Sequence, residues 1–214
     1  MTAEFPLPDD VEVEPKIAAE LFGQNIERAR SYVDMLARAG EPLGLLGPLE
    51  YPRLWTRHIV NSVLLAPLLE GRVADIGSGA GLPGVPVAIA RPDVEFTLIE
   101  PMERRVEWLE TCRSELGLQN VNVIRARAEE LHDELAVDQV TARAVSALSK
   151  LIPIAVPLLV HGGELALLKG RSAEAEIEAA RKAIRKYGLE DVRVEELGAD
   201  LDTEPTRVIR ARAV

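Results

Sequence analysis

The chain is almost without cysteine. Cys112 stands alone in 214 residues, which excludes an internal disulfide framework and any metal site built on a cysteine cluster. Long apolar runs are missing too. The longest, "LIPIAVPLLV" at 151–160, is about half a bilayer span and carries two prolines, so no transmembrane helix is expected. The N-terminus, "MTAEFPLPDDVEVEPK", lacks a basic segment followed by an apolar core, so no secretory signal is expected. There is no internal repeat and no low-complexity tract. His132 and His161 have no neighbours suited to metal ligation, and no metal site is expected. Positive charge is in deficit: 25 Lys and Arg stand against 35 Asp and Glu, a net charge of −10, which argues against indiscriminate binding to nucleic acid. A nucleic-acid partner would have to be recognised by shape and by small basic clusters, such as Arg104 with Arg105, Arg125 with Arg127, and Lys169 with Arg171. With 47% hydrophobic and 28% charged residues, the expectation is a globular, cytoplasmic protein with no membrane partner, monomeric rather than oligomeric.

Residues 1–14 are acidic and proline-bearing, with no apolar period, and read as a flexible tail. From Lys16 to Ala39, the apolar residues Phe22, Ile26, Ala29, Val33 and Leu36 recur at helical spacing, and Gly40 ends the run. After the turn-rich "GEPLGLLGPLEYP", the stretch "RLWTRHIVNSVLLAPLLEG" resumes that spacing through Trp55, Ile59, Val63 and Ala66. Residues 15–70 are therefore expected to form an N-terminal helical extension. Beyond Gly71, apolar strands at 72–76, 95–99, 121–125, 137–142 and 163–168 alternate with helical segments. The helices fall at about 84–91, 102–117, 128–134, 147–159 and 173–187. Such alternation predicts a parallel sheet covered on both faces, because right-handed crossovers need a helix between strands. "VRVEEL" at 192–197 and "TRVIRARAV" at 206–214 then read as two strands with no helix between them. A C-terminal antiparallel hairpin separates the class I S-adenosylmethionine-dependent methyltransferase fold from dinucleotide-binding dehydrogenases. Residues 71–214 are accordingly expected to form one Rossmann-like α/β methyltransferase domain.

The first strand runs into Gly77-Ser78-Gly79-Ala80-Gly81-Leu82-Pro83-Gly84. A dinucleotide fingerprint has glycines at its first, third and sixth positions, the last for close helix–strand packing. Here the fifth position is Gly81 and the sixth is Leu82. A pyrophosphate would want an open helix N-terminus where Leu82 and Pro83 put bulk. S-adenosylmethionine has no phosphate and needs only close backbone approach to its ribose and methionine parts. Asp75, just before the loop, can bond to backbone or to a ligand amino group, and both readings stay open. Glu100 ends the second strand, about 20 residues past the glycines, where a carboxylate can accept both ribose hydroxyls of an adenosine. After the third strand, Glu129 and the neighbouring Ala128 backbone stand where an adenine amino group could be read, although an acid near a helix start also suits the helix dipole. Arg143, at the end of the fourth strand, has two readings: contact with the cofactor carboxylate or the substrate, which its place at the ligand crevice of such a sheet favours, or a plain pairing with a surface acid.

The stretches "RHIVNS", "DIGSGAGLPGVPVAI", "PMERRVEWL", "RAVSAL" and "LALLKGRS" stand in an order that resembles the bacterial 16S rRNA methyltransferase family RsmG, also called glucose-inhibited division protein B. The resemblance spans about residues 53–175, with the N-terminal helix matching more loosely. It implies methyl transfer from S-adenosylmethionine to guanine N7 in the 530 loop of 16S rRNA, with the small ribosomal subunit or an assembly intermediate as partner. It further implies cofactor contacts at Gly77, Leu82, Ala128, Glu129 and Arg143, beside Asp75, Gly79, Gly81 and Glu100 from the loop pattern.

Guanine N7 carries an unprotonated lone pair, so its methylation needs alignment rather than a general base. That suits Thr141-Ala142-Arg143-Ala144, which holds neither the Asn-Pro-Pro-Tyr stretch nor the cysteine that amino-directed and C5-directed enzymes use. No catalytic acid or base is assigned. Arg53 and Arg57 form a possible phosphate-gripping pair, with His58 beside them. Lys169 and Arg171 follow the fifth strand, where phosphate or base contact is plausible. Two other activities share parts of this pattern: a small-molecule or protein methyltransferase, which would not need the basic rim, and a nicotinamide-dependent oxidoreductase. A non-catalytic RNA-binding module fits least, since the cofactor elements are complete.

Overall fold

A computed structural model describes residues 5–201 and 204–214. Of the segment read as a flexible tail, residues 1–4 lie outside the described residues. The rest of it runs over the surface and is tied down at two glutamates. Glu12 accepts the Thr56 N–H at 2.9 Å, and Glu14 pairs with Arg30.

Seven strands form one sheet in the order β3-β2-β1-β4-β5-β7-β6. They are β1 (Arg72–Ile76), β2 (Glu95–Ile99), β3 (Val121–Ile124), β4 (Val137–Arg143), β5 (Leu159–Lys169), β6 (Leu189–Leu197) and β7 (Thr206–Ala213). The first five are parallel; β7 runs antiparallel to β5, and β6 antiparallel to β7. Strand order therefore reverses direction between β1 and β4, where sheets of this kind open a crevice at the strand C-termini.

Helices cover both faces. On one lie α1 (Lys16–Phe22), α2 (Ile26–Ala39), the short α3 (Asn61–Val63), α4 (Gly84–Ala90) and α5 (Glu103–Glu115). On the other lie α6 (Leu148–Ala155) and α7 (Ala173–Lys186). From Val73 on, β1 is buried on both faces and reads as an apolar run broken only by Asp75. In α5, Trp108, Leu109 and Cys112 form the buried stripe, and Glu103 opens the helix with the sign its dipole favours. Cys112 is fully buried, and burial pushes its thiol well above the ordinary range.

The N-terminal part winds less regularly than its spacing predicts. Gly23, at φ +50°, interrupts the run from Lys16 to Ala39 with a single 3-10 turn. The stretch expected as a second helix has a 3-10 turn (Pro48–Arg53), a π-helical stretch (Leu54–Val60), α3, and another 3-10 turn (Ala66–Leu68). Trp55, Ile59, Val63 and Ala66 are nevertheless all buried. Periodicity identified the buried face correctly; Pro52 and Pro67, which lack an N–H, help to vary the winding around it. β5 also begins earlier than expected, at Leu159, with the first part of "LIPIAVPLLV" in α6 and its end in the strand. The expected helix at 128–134 is a 3-10 turn over Ala128–Leu131. Among the described residues no helix is long and apolar enough to cross a membrane.

Candidate functional site

The C-termini of the central strands end at one level. Ile76 pairs with Ile99 and with Ala142, and Ala142 with Leu167, so the segments that follow these strands meet in one crevice. The turn after β1 needs three left-handed backbones, and glycine supplies them: Gly77, Gly79 and Gly81 have φ of 66°, 56° and 100°. At its start, the Gly77 and Ser78 N–H groups both donate to the Ile99 carbonyl, at 2.8 and 3.2 Å. Its middle is fixed from beneath by two buried donors, since Tyr32 Oη of α2 and Trp108 Nε1 of α5 each donate to the Ala80 carbonyl at 2.8 Å. Both lone pairs of that oxygen are thereby used.

Close helix–strand packing, which a dinucleotide fingerprint assigns to its sixth position, falls here to Gly84. A Cβ there would lie 2.4 Å from Leu98 Cδ2 and 2.7 Å from Asp75 Oδ2. Asp75 is buried beneath the loop. Its Oδ2 accepts the Gly84 N–H at 3.1 Å, whereas Oδ1 has no partner. Burial pushes this carboxyl up to about 7. Of the two roles open to it, the backbone bond is present, and one acceptor position remains.

Glu100 is also buried. Its Oε2 accepts the Gly79 N–H and its Oε1 the Met102 N–H, both at 3.0 Å, and Arg105 Nη1 lies 3.8 Å from Oε2. Each oxygen keeps a second lone pair. An orphaned carboxylate oxygen beside a partly occupied one, under a turn that exposes backbone, fits a ligand with ammonium and hydroxyl donors. Ala128, buried, and Glu129, exposed, start the 3-10 turn after β3.

Arg143 ends β4 and points its guanidinium at the π-helical stretch. Nη2 donates to the Arg57 carbonyl at 3.1 Å and lies 3.0 Å from His58 Nδ1; Nη1 reaches the His58 carbonyl and Ser62 Oγ at 3.4 Å each. His58 Nε2 in turn lies 2.6 Å from Glu50 Oε2. Burial, then the Arg143 charge, hold the imidazole down to about 4, so it is neutral near pH 7. The expected phosphate-gripping pair converges on the same carboxylate: Arg53 lies 2.6 Å and Arg57 3.6 Å from Glu50 oxygens. Beyond Arg143 the chain turns through Ala144, at φ +55°, a left-handed conformation that a non-glycine residue rarely adopts. That turn sets Val145 over the glycine loop, with Cγ2 3.0 Å from where a Gly77 Cβ would stand.

Two hollows meet here. One, of about 310 Å³, is lined by Gly77, Gly79, Leu82, Glu50, Arg57, His58, Arg105 and Arg143. The other, of about 970 Å³, is lined by Arg57, Asn61, Arg143, Lys169, Arg171 and Arg207, among others. Arg57, Arg143 and Ala144 belong to both. Lys169 is anchored rather than free: Nζ donates to the Ser146 carbonyl at 2.7 Å and to Glu176 Oε2 at 2.8 Å. Arg171 is 92% exposed, with Glu204 at 3.7 Å. Asp75 and Glu100 lie below the loop rather than in the lining, and Ala128 and Glu129 line neither hollow. Trp108 packs in the core, and its ring nitrogen serves the loop. Tyr32 and Glu50 escape sequence reasoning: Tyr32 serves a carbonyl 48 residues away, and Glu50 meets His58 only because the turn between them folds back. No group of three or more His, Cys, Asp or Glu among the described residues is placed to hold a metal ion.

Comparison with known proteins agrees with this architecture. Among solved structures, the chain is similar to an SAM-dependent O-methyltransferase from Thermotoga maritima, with a TM-score of 0.52, 20% identity, and coverage of 72% of this chain and 65% of that one. It is similar also to M. jannaschii TYW2 in complex with AdoMet, with a TM-score of 0.57, 18% identity, and coverage of 74% and 76%. These likenesses concern the fold. Curated proteins called "Ribosomal RNA small subunit methyltransferase G" come much nearer. That of Clavibacter sepedonicus is 64% identical over 97% of this chain and 99% of its own length. That of Corynebacterium glutamicum is 49% identical over 92% and 91%. The family model described as rRNA small subunit methyltransferase G matches residues 25–206, from α2 onward. A nicotinamide enzyme is thereby set aside: the chain belongs to the rRNA small subunit methyltransferase G family, and its cofactor is S-adenosylmethionine.

Proposed function

We propose that the chain methylates guanine N7 in the 530 loop of 16S rRNA, within the small ribosomal subunit or one of its assembly intermediates. When bound, S-adenosylmethionine supplies a methyl group activated by its sulfonium charge. Gly77, Gly79, Gly81 and Leu82 would hold it by backbone, Asp75 and Glu100 by their remaining acceptor positions, with Ala128, Glu129 and Arg143 completing the set. The target base would enter the larger hollow, which meets the glycine-loop pocket at Arg57 and Arg143.

One observation carries the choice of N7: among the described residues, the two hollows share Arg57, Arg143 and Ala144, none of which has a side chain that acts as a base near pH 7. His58 spends Nδ1 on Arg143 and its Nε2 proton on Glu50. The carboxylates lining the larger hollow each face a cation: Glu176 with Lys169 at 2.8 Å, Glu196 with Arg207 at 3.3 Å, and Glu204 with Arg171 at 3.7 Å. Cys112 is buried far from reactivity. Taking up a proton would cost each of these carboxylates its ion pair, which disfavours a nucleophile that must first lose one, whereas N7 needs only to be held in line. N7 lies on the Hoogsteen edge, inside the narrow major groove of an RNA helix, so the target must sit in a loop or be extruded. A chain with net charge −10 then depends on a folded RNA shape for affinity, with Arg53, Arg57, Lys169 and Arg171 at the rim and His58, expected beside them, buried with both ring nitrogens engaged. Such a substrate implies a cytoplasmic enzyme, and nothing in the site calls for a second copy of the chain.

The test is transfer of a labelled methyl to small subunits and to naked 16S rRNA lacking the modification, followed by nucleoside analysis. Label recovered as 7-methylguanosine at one position is the expected result. Label in another nucleoside would overturn the choice of N7. Equal labelling of unrelated loop RNAs would overturn the shape requirement. Cofactor binding without any RNA label would move the acceptor to a protein or small molecule.

A further inference from the structure

The contacts of Arg143 fix the chemistry of its neighbour. A guanidinium only donates, so His58 Nδ1, 3.0 Å from Arg143 Nη2, must carry a lone pair, and the imidazole proton must sit on Nε2. That proton points at Glu50 Oε2, 2.6 Å away. A carboxylate, a neutral ring and a guanidinium thus form one chain of donors and acceptors with a single consistent direction. They come from three separate places: the 3-10 turn at Pro48–Arg53, the π-helical stretch, and the end of β4. Arg53 holds the far oxygen of the carboxylate, Oε1, and Arg57 lies 3.6 Å from the Oε2 that faces His58. The π-helical winding adds the Arg57 and His58 carbonyls to the same guanidinium. Burying such groups costs stability that an apolar cluster of equal volume would not. What the polar version provides is a fixed guanidinium plane.

We propose that His58, held by Glu50, is a positioning residue that fixes the Arg143 guanidinium at the boundary between the glycine-loop pocket and the larger hollow. Arg143 there faces both reacting partners, and this rests on the function proposed above. The groups facing the imidazole are Glu50, Arg57 and Arg143, and burial keeps the ring neutral, so the Nδ1 lone pair is available to Arg143 at physiological pH.

Two substitutions separate positioning from mere packing. His58→Asn can set its carboxamide oxygen where Nδ1 stands, keeping the bond from Arg143 and losing the link to Glu50. His58→Gln can still reach Glu50 but leaves Arg143 without its ring acceptor. Cofactor-free protein is examined first, by NMR of ¹⁵N-labelled arginine side chains. Separate, slowly exchanging Arg143 signals are expected in the native chain and in His58→Asn, and averaged ones in His58→Gln. Single-turnover methyl transfer to saturating small subunits should then fall about 100-fold in His58→Gln, and stay within about fivefold of native in His58→Asn. Equal losses in the two variants, or native signals and rate in His58→Gln, would overturn the proposal. Histidine ¹⁵N shifts of the native protein give a check that needs no variant: at pH 6 His58 should be the neutral Nε2–H form, and imidazolium or the other tautomer would overturn it. Should the native chain transfer no methyl to RNA while the arginine signals still divide the variants, the function proposed above fails and the positioning stands.

Discussion

On the β1–β2 side of the crevice, the glycine turn is held by contacts that solvent scarcely reaches: two aromatic donors on the Ala80 carbonyl, and two buried carboxylates on backbone N–H groups. On the β4–β5 side, the working groups are cations leaning on carboxylates and carbonyls nearer the surface, as Arg57 does on Glu50 and Arg171 on Glu204. The first side is shaped by steric fit and will change little with ionic strength. The second is shaped by Coulomb interactions, and will read a polyanion and weaken with salt. A net-negative protein can thus offer positive charge to an RNA substrate by bringing Arg57, Arg143, Lys169, Arg171 and Arg207 along one hollow.

The sharpest way to break this contrast is to add the same methyl to each wall. At Gly84 a Cβ would stand 2.4 Å from Leu98 Cδ2, while at Gly170 it would meet nothing within 4 Å. Gly84→Ala should lose about 3 kcal/mol or more of unfolding free energy in urea, and Gly170→Ala should stay within about 0.5 kcal/mol of native. Similar losses at both would erase the distinction.

The buried wall should also carry a pH signature. Asp75 is raised from 3.8 to about 7, so the folded state binds its proton more tightly than the unfolded chain does. Its contribution therefore favours folding at low pH and is lost as pH rises, by roughly 1.4 kcal/mol per pH unit between about 4 and about 7. Measured against Asp75→Asn, native stability should decline across that window. A flat difference curve would mean that the carboxyl titrates as if exposed.

Removing the donors of the Ala80 carbonyl is a subtler probe. Tyr32→Phe and Trp108→Phe each leave that oxygen one partner, and the double variant leaves it none. The double loss should exceed the sum of the single losses by about 1–3 kcal/mol, the cost of an unsatisfied buried acceptor. Additive losses would show that the turn relaxes and finds another donor. Least disruptive is Arg171→Ala, on the exposed wall. It should leave the thermal midpoint unmoved and reduce the logarithmic salt slope of rRNA binding by about 1. An unchanged slope would take Arg171 out of the RNA contact.

What the sequence disclosed about these walls differs in kind. The β1 strand, its glycine turn and the C-terminal hairpin were legible because their signals are local: an apolar run, a glycine spacing, two strands with no helix between. Within "LIPIAVPLLV" the boundary between α6 and β5 was not legible, since an unbroken apolar run has the same pattern as a buried helix or strand. The π-helical winding at Leu54–Val60 was equally hidden, because it buries the face that an ordinary helix would bury. Glu50 sat in a stretch whose glycines and prolines announced only a turn, and its link to His58 depends on how that turn folds back. Tyr32 lies 48 residues from the carbonyl it serves, and nothing near it in the chain points there. Glu100 could be placed at a strand end by pattern, but that its oxygens already accept two backbone N–H groups is a matter of tertiary geometry.

The chain's two tryptophans happen to divide between these regions. Trp108 donates its ring N–H to the glycine turn, and Trp55 is buried in the π-helical stretch that holds Arg143. Excitation near 295 nm would therefore address one intrinsic fluorophore per region, without any attached dye. In a Trp55→Phe background the emission colour would track the turn, and in a Trp108→Phe background the arginine clamp. The order in which the crevice responds to its two ligands is thus open to stopped-flow optics.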